Sequence, residues 1–225
     1  MDWKKSDVNE ALATLYLRLN GYFTTGLILH SSEWGQSRTE IDCVAIRQPH
    51  HTQPERGLES SPFLQVRGGE LDLIICEVKS NPKEVKFNDR IRSDYEARCA
   101  LLRWAGIFDE SKVPSVAERL RPLLETDIGP EEACVGILEG SCRVRPLLCC
   151  PPCPESERAG RWWLIGSELF CFAKECLSPS ARRSACSTRY DFQLWGYALS
   201  PIVEYFKNRG GDSDLDDLYR HLGVS

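Results

Sequence analysis

No run in this chain approaches the ~20 consecutive apolar residues that a membrane-crossing helix needs, so the sequence predicts no bilayer span and no membrane partner. The opening Met1-Asp2-Trp3-Lys4-Lys5 holds no apolar stretch of the kind that directs secretion, and a cytoplasmic location is the expectation. An excess of positive charge is missing too: 28 Lys and Arg face 33 Asp and Glu, a formal net charge of −5. That excludes simple coating of a nucleic acid, in which many cations neutralise many phosphates. No P-loop, helicase or methyltransferase motif occurs, and no internal repeat. Eleven cysteines are present, but an odd count at irregular spacing without a secretion signal predicts reduced thiols. Cys43, Cys76, Cys134 and Cys171 sit inside apolar runs and read as small core residues.

What the chain does contain is a pair of short strands with charge in unusual places. Thr39-Glu40-Ile41-Asp42-Cys43-Val44-Ala45-Ile46-Arg47 and Leu71-Asp72-Leu73-Ile74-Ile75-Cys76-Glu77-Val78-Lys79 both carry apolar residues on both faces, as a covered sheet requires. Strict alternation puts Glu40, Asp42, Val44 and Ile46 on one face and Ile41, Cys43 and Ala45 on the other. On the second strand Ile75, Glu77 and Lys79 share a face opposite Ile74, Cys76 and Val78. Charge on a covered strand is costly unless it is paired or bound to metal. Two carboxylates and an ammonium on adjacent strands can hold a hard divalent cation beside a cationic donor, the equipment of metal-assisted phosphodiester hydrolysis.

Asp42 followed by Glu77-Val78-Lys79 resembles the D…E-x-K signature of the PD-(D/E)xK nuclease superfamily, which includes type II restriction enzymes, Holliday junction resolvases, and repair and phage-defence nucleases. Glu10, eleven residues before Gly21-Tyr22, is similar to the helix Glu of resolvase-like members. Glu40-Ile41-Asp42 is similar to the E-[IV]-D variant of bacterial members. The likeness covers residues 6 to about 106. It departs from the family at residues 48–70, a Pro/Gly/Ser-rich insertion where members often have a tight hairpin.

The resemblance implies an α/β fold with a restriction endonuclease-like core, a mixed central β-sheet flanked by helices, and a C-terminal elaboration. Residues 1–108 would form the nuclease core with its insertion. Residues 109–225 would complete the same domain, with a Cys-containing loop at 149–160 and an acidic C-terminal helix. It implies hydrolysis of DNA in repair or in defence against mobile DNA, with specificity supplied by a homodimer or a partner protein. The cofactor would be Mg²⁺ or Mn²⁺, held by Asp42, Glu77, the Val78 carbonyl and Glu10. Lys79 would orient the attacking water, and Glu40 would be an additional acid.

Elsewhere the pattern predicts helices over 7–20, 88–104, 113–124, 168–177 (N-capped by Ser167), 194–207 and 214–222, and strands over 23–30, 133–138, 143–148 and 161–165. Residues 143–189 hold eight basic against four acidic side chains, net +4, so a local basic groove is an expectation. Arg90, Arg92, Arg182 and Arg183 are candidate nucleic-acid contacts, with Arg98 and Arg103 beside the first pair. Two rival readings remain: a catalytically inactive binding or scaffold module of the same fold, and a zinc or thiol interaction protein built on Cys150-x-x-Cys153 with Cys142, Cys171 or Cys176. Trp162, Trp163 and Trp195 read as core aromatics rather than base-stacking platforms, and His50-His51 as surface.

Overall fold

Three successive extended segments form a meander on which the remaining elements pack. In the computed structural model, which describes residues 2–31, 37–54, 57–125, 128–158, 160–178, 195–208 and 214–224, β1 (Phe23–His30) pairs antiparallel with β2 (Ser37–Arg47), and β2 pairs antiparallel with β3 (Leu71–Val78). The insertion at 48–70 leaves that second pairing intact, from Cys43 opposite Cys76 to Arg47 opposite Asp72. β5 (Cys142–Cys150) lies parallel to β3. Its far edge is shared by β4 (Ile137–Glu139), antiparallel, and β6 (Trp163–Ile165), parallel. The product is an open, mixed, six-stranded sheet.

Helices cover both faces. On one side α1 (Lys5–Leu19), α5 (Pro130–Val135), α7 (Gly166–Leu177), α8 (Ser200–Asn208) and α9 (Leu215–His221) enclose a core that includes Cys43, Ala45, Ile74, Cys76, Leu147 and Cys149. On the other, α2 (Asp89–Ser93), α3 (Tyr95–Ala105) and α4 (Val113–Leu123) cover Ile41, Val44, Leu73, Ile75 and Leu148. The short α6 (Glu155–Arg158) buries no residue. No helix among the described residues is long and apolar enough to cross a membrane.

Several elements differ from the sequence expectation, each for a local reason. The helix foreseen over 88–104 is broken at Asp94, whose backbone N–H closes α2 on the Arg90 carbonyl while its carboxylate caps α3 by accepting from Glu96 and Ala97. Arg98, with only 2% of its surface exposed, staples the break by donating to the Ile91, Arg92 and Ala117 carbonyls. The strand foreseen at 133–138 is α5 followed by β4; Pro130 starts the helix and Gly136 ends it at a positive φ of 67°. Ser167 lies inside α7 rather than capping it, and Ile165 occupies the N-cap position. The helix foreseen over 194–207 begins at Ser200. Cys171 is exposed, unlike Cys43, Cys76 and Cys134. Trp162 and Trp163 are buried and Trp195 packs against the core with Arg18 over its ring.

Two of the eight cations behind the expected basic groove are instead buried in an ionic network, while Arg161 is exposed and Arg182, Arg183 and Arg189 lie outside the described residues. Arg143 and Arg145, 1% and 0% exposed, converge on Asp72. Arg145 Nε donates to Asp72 Oδ1 at 3.0 Å and its Nη2 to Oδ2, which also accepts from Arg143 Nη2 at 3.0 Å and from the Tyr22 hydroxyl at 2.6 Å. Arg143 Nε also lies 3.3 Å from Glu70, and the Arg145 guanidinium sits 5.3 Å from the Trp162 ring centre. Arg158 pairs with Glu155 and Glu168. These cations hold the sheet together and are spent as nucleic-acid contacts.

Removing one partner of such a network strands charge in a dry interior, at a cost of about 3–5 kcal/mol. Asp72→Ala is therefore expected to lower unfolding free energy by about that amount in urea denaturation. A loss below about 1 kcal/mol would show that Asp72 is not the counter-ion of Arg143 and Arg145.

Candidate active site

The alternation of β2 is interrupted where the site begins. Thr25 pairs with Val44 but Leu27 pairs with Ile41, so Gly26 alone faces both Asp42 and Cys43. This is a β-bulge, one extra residue on β2, and it re-aims the side chains around it. Its effect is visible in the core: Ile41 and Val44 lie in the same apolar cluster, under α3 and α4, whereas Cys43 and Ala45 lie in the other. The face assignment expected from strict alternation is corrected accordingly, with Ile41 moving to the Val44 side.

The bulge also ends the β2–β3 ladder. The last pair is Cys43 with Cys76, and beyond it a side chain replaces the backbone rung: Asp42 Oδ2 accepts the Val78 N–H at 2.7 Å. β3 keeps its pairing to β5 on the other side, extended by the Lys79 N–H to the Cys149 carbonyl at 2.8 Å. Lys79 Nζ turns back to Glu77 Oε1 at 2.7 Å. Asp42, Glu77, Val78 and Lys79 are thus brought together at the C-terminal end of β3.

Glu10 approaches this group from α1. Much of its surface is exposed, not turned into the core as its stripe on the helix suggested, yet its charge is felt at the site. Partial desolvation, then repulsion from Asp42, Asp7 and Glu40, push its pKa up to about 6. Burial raises Glu77 to about 7 against the opposing Lys79 hydrogen bond, with Asp42 and Glu10 adding to the rise. Asp42 is raised as well, first by burial, with the Val78 N–H and Lys79 opposing. Glu40, exposed on β2, contributes repulsion to both Asp42 and Glu10. Carboxylates that raise one another's pKa share a volume that favours either a proton or a cation.

The supporting contacts were missing from the sequence reading. Asn9, fully buried on α1, donates through Nδ2 to Ser80 Oγ at 2.9 Å and accepts from the Tyr219 hydroxyl at 2.7 Å. It therefore ties the residue after Lys79 to α1 and α9. Its signal was a polar residue beside Val8 on the apolar side of α1; nothing in the sequence pointed to Tyr219.

The other candidates stand apart. Arg92 is engaged by Asp89 and Glu125 at 3.1 and 2.5 Å, Arg98 is buried, and Arg103 pairs with Glu110 at 2.7 Å. Arg90 is exposed and makes no ion pair with a described residue. Arg182 and Arg183 lie outside the described residues. Among the described residues, no group of three or more His, Cys, Asp or Glu side chains is arranged to hold a metal ion. So Cys142, Cys171 and Cys176 are not gathered about Cys150 and Cys153, and Asp42, Glu77 and Glu10 do not form a three-carboxylate ligand set. Comparison with family models, curated proteins and solved structures returns no match for this chain.

The raised acids fix the sign of a pH effect in the metal-free protein. Glu77 titrates near 4.5 when unfolded and near 7 when folded, so between those values the folded chain holds a proton that the unfolded chain has released. The Glu77 contribution to stability therefore falls as pH rises through that window. Carboxyl ¹³C titration is expected to give a Glu77 midpoint near 7, shifted further up in Lys79→Met, with Glu77→Gln flattening the stability profile. A midpoint in the ordinary carboxylate range would contradict the buried, crowded environment.

Proposed function

We propose that this chain is a metal-dependent nuclease that hydrolyses DNA phosphodiester bonds, built on a restriction endonuclease-like core of the PD-(D/E)xK superfamily. One observation carries the reading. Asp42 and the Glu77-Val78-Lys79 triplet, far apart in sequence, meet across β2 and β3 through the 2.7 Å bond from the Val78 N–H to the Asp42 carboxylate. The mixed sheet with helices on both faces fits the same core.

The donor set suits a hard cation. Asp42, Glu77 and the Val78 carbonyl offer oxygen ligands only, and Mg²⁺ retains several waters and needs few carboxylates. Burial first, and repulsion from neighbouring carboxylates second, lift Asp42, Glu77 and Glu10, and a divalent charge would oppose both effects. Bound there, Mg²⁺ or Mn²⁺ would lower the pKa of a coordinated water and offset charge on the scissile phosphate. Asp42 and Glu77 hold the ion, and Asp42 does so while its second function, satisfying Val78, keeps it in place. Lys79 carries positive charge next to Glu77, where it orients the attacking water and stabilises charge developing on phosphate oxygens. Glu10 accepts a proton near neutral pH and serves as an outer base for a water at the site. Asn9 is a positioning residue that fixes Ser80 and so the approach of Lys79.

A second reading keeps the fold without the cutting: a DNA-binding or scaffold module. The Lys79–Glu77 ion pair favours it, because in that pairing both groups satisfy each other. Specificity, in either reading, comes from a homodimer or partner protein, since most exposed arginines near α2 and α3 are already paired.

Supercoiled plasmid incubated with the purified chain distinguishes the two. Nicking in Mg²⁺ or Mn²⁺ and none in chelator is expected, with Asp42→Ala and Lys79→Ala each slower by about a hundredfold or more. DNA binding without cleavage in the wild type and both variants would end the nuclease proposal.

A further inference from the structure

The insertion at 48–70 builds a second site at the opposite end of β2 and β3 from Asp42. Its residues and Arg47, at the Arg47–Asp72 end of the ladder, line an open cavity of ≈ 520 Å³ whose walls include His50, His51, Thr52, Ser60 and Ser61. Arg47 is only 8% exposed. Its Nε donates to the Asn20 carbonyl at 3.3 Å and its Nη2 to the His51 carbonyl at 3.0 Å. Those are neutral acceptors, and no Asp or Glu among the described residues lies within ion-pair distance of it. Asp72, its cross-strand neighbour, is taken by Arg143 and Arg145. Glu59 also lines the cavity but makes no ion pair with Arg47.

Of the other buried arginines among the described residues, Arg143 and Arg145 meet carboxylates and Arg98 meets three backbone carbonyls; Arg47 meets two carbonyls and also lines a cavity. A buried guanidinium beside an open polar cavity is a charge awaiting an anion. The lining adds the His50 and His51 imidazoles and the Thr52, Ser60 and Ser61 hydroxyls, a set of donors that suits an oxyanion with three or more acceptor oxygens. The backbone is committed to this shape. Gln65, which also lines the cavity, is the one non-glycine described residue with a left-handed φ, at 45°, and its carbonyl faces Arg143 at 3.4 Å. Gly21 sits at φ 86° with the His51 ring where a Cβ would be, so only glycine lets the insertion close against α1.

We propose that this cavity binds a terminal phosphate monoester, with Arg47 as its charge partner and His50 and the Ser60 and Thr52 hydroxyls as further donors. The phosphate belongs either to a free nucleotide or to a phosphorylated strand end. The inference stands on the insertion alone and holds whether or not the Asp42 site cuts DNA.

The test uses ¹⁵N-labelled full chain in chelator, which removes any metal-mediated phosphate binding at Asp42. Inorganic phosphate is expected to give saturable resonance shifts centred on residues 47–69, weakened about tenfold or more in Arg47→Gln and less in the exposed His50→Ala. AMP binding in preference to adenosine assigns the free nucleotide; a 5′-phosphorylated oligonucleotide binding in preference to its unphosphorylated twin assigns the strand end. Either outcome supports the site. Absence of saturation up to tens of millimolar phosphate overturns it, as do shifts centred outside 47–69 or equal binding by His50→Ala and wild type. Because the mapping and the His50 variant are read on folded protein, loss of folding in Arg47→Gln does not remove the test.

Discussion

A side chain that stands in for a backbone rung organises this protein. With an extra residue in β2, the ladder to β3 cannot continue past Cys43 and Cys76, and the Val78 N–H would be left unpaired in a covered sheet. An unpaired buried N–H costs about 1–3 kcal/mol, and the Asp42 carboxylate removes that cost. The same bond holds a partly buried negative charge at the end of β3, close enough to Glu77 to be felt there. One carboxylate oxygen is occupied by the amide and the other remains open. Fold integrity and the acid pair are therefore one arrangement: the bulge that would weaken the sheet is repaired by the group that makes the site.

The two ends of β3 handle buried acid in opposite ways. At the start, Asp72 receives two guanidiniums and a phenol, so its charge is fully answered and the group serves stability. At the finish, Asp42, Glu77 and Glu10 share a single nearby ammonium, and their pKa values rise instead. Local electrostatics of this kind separate structural from functional charge: a satisfied network has nothing left to offer a ligand, while an under-compensated one does. Arg47, at the other end, is a buried cation that makes no ion pair with a described carboxylate.

The periodic parts of this arrangement were legible in the sequence. α1, β1, β2, β3, α4 and β5 follow from apolar spacing, and the meeting of Asp42 with Glu77 and Lys79 follows from placing two strands side by side. Single-residue events were not legible. Nothing in Glu40-Ile41-Asp42-Cys43 marks the bulge, whose only trace is Gly26 on the facing strand. Asp94 reads as one more helical acid until its carboxylate is seen capping α3. Arg143 and Arg145, alternating with Val144, read as a solvent-facing basic strand because the acid that buries them is about seventy residues away. Composition counts charge but not its partner, which is why two cations that added to the expected groove belong to the core.

Three buried thiols lie close to the acids of the site. Cys43, Cys76 and Cys149 lie together in the core beneath α1, on the ends of three adjacent strands. Burial pushes the Cys43 thiol up to about 12 and the other two further, so all three stay neutral. A small, neutral, weakly hydrogen-bonding side chain at each position lets α1 sit close to the sheet and keeps water out. Neutral thiols offer the nearby carboxylates no counter-charge, so among the described residues Lys79 is the cation that opposes the rise of Asp42 and Glu77.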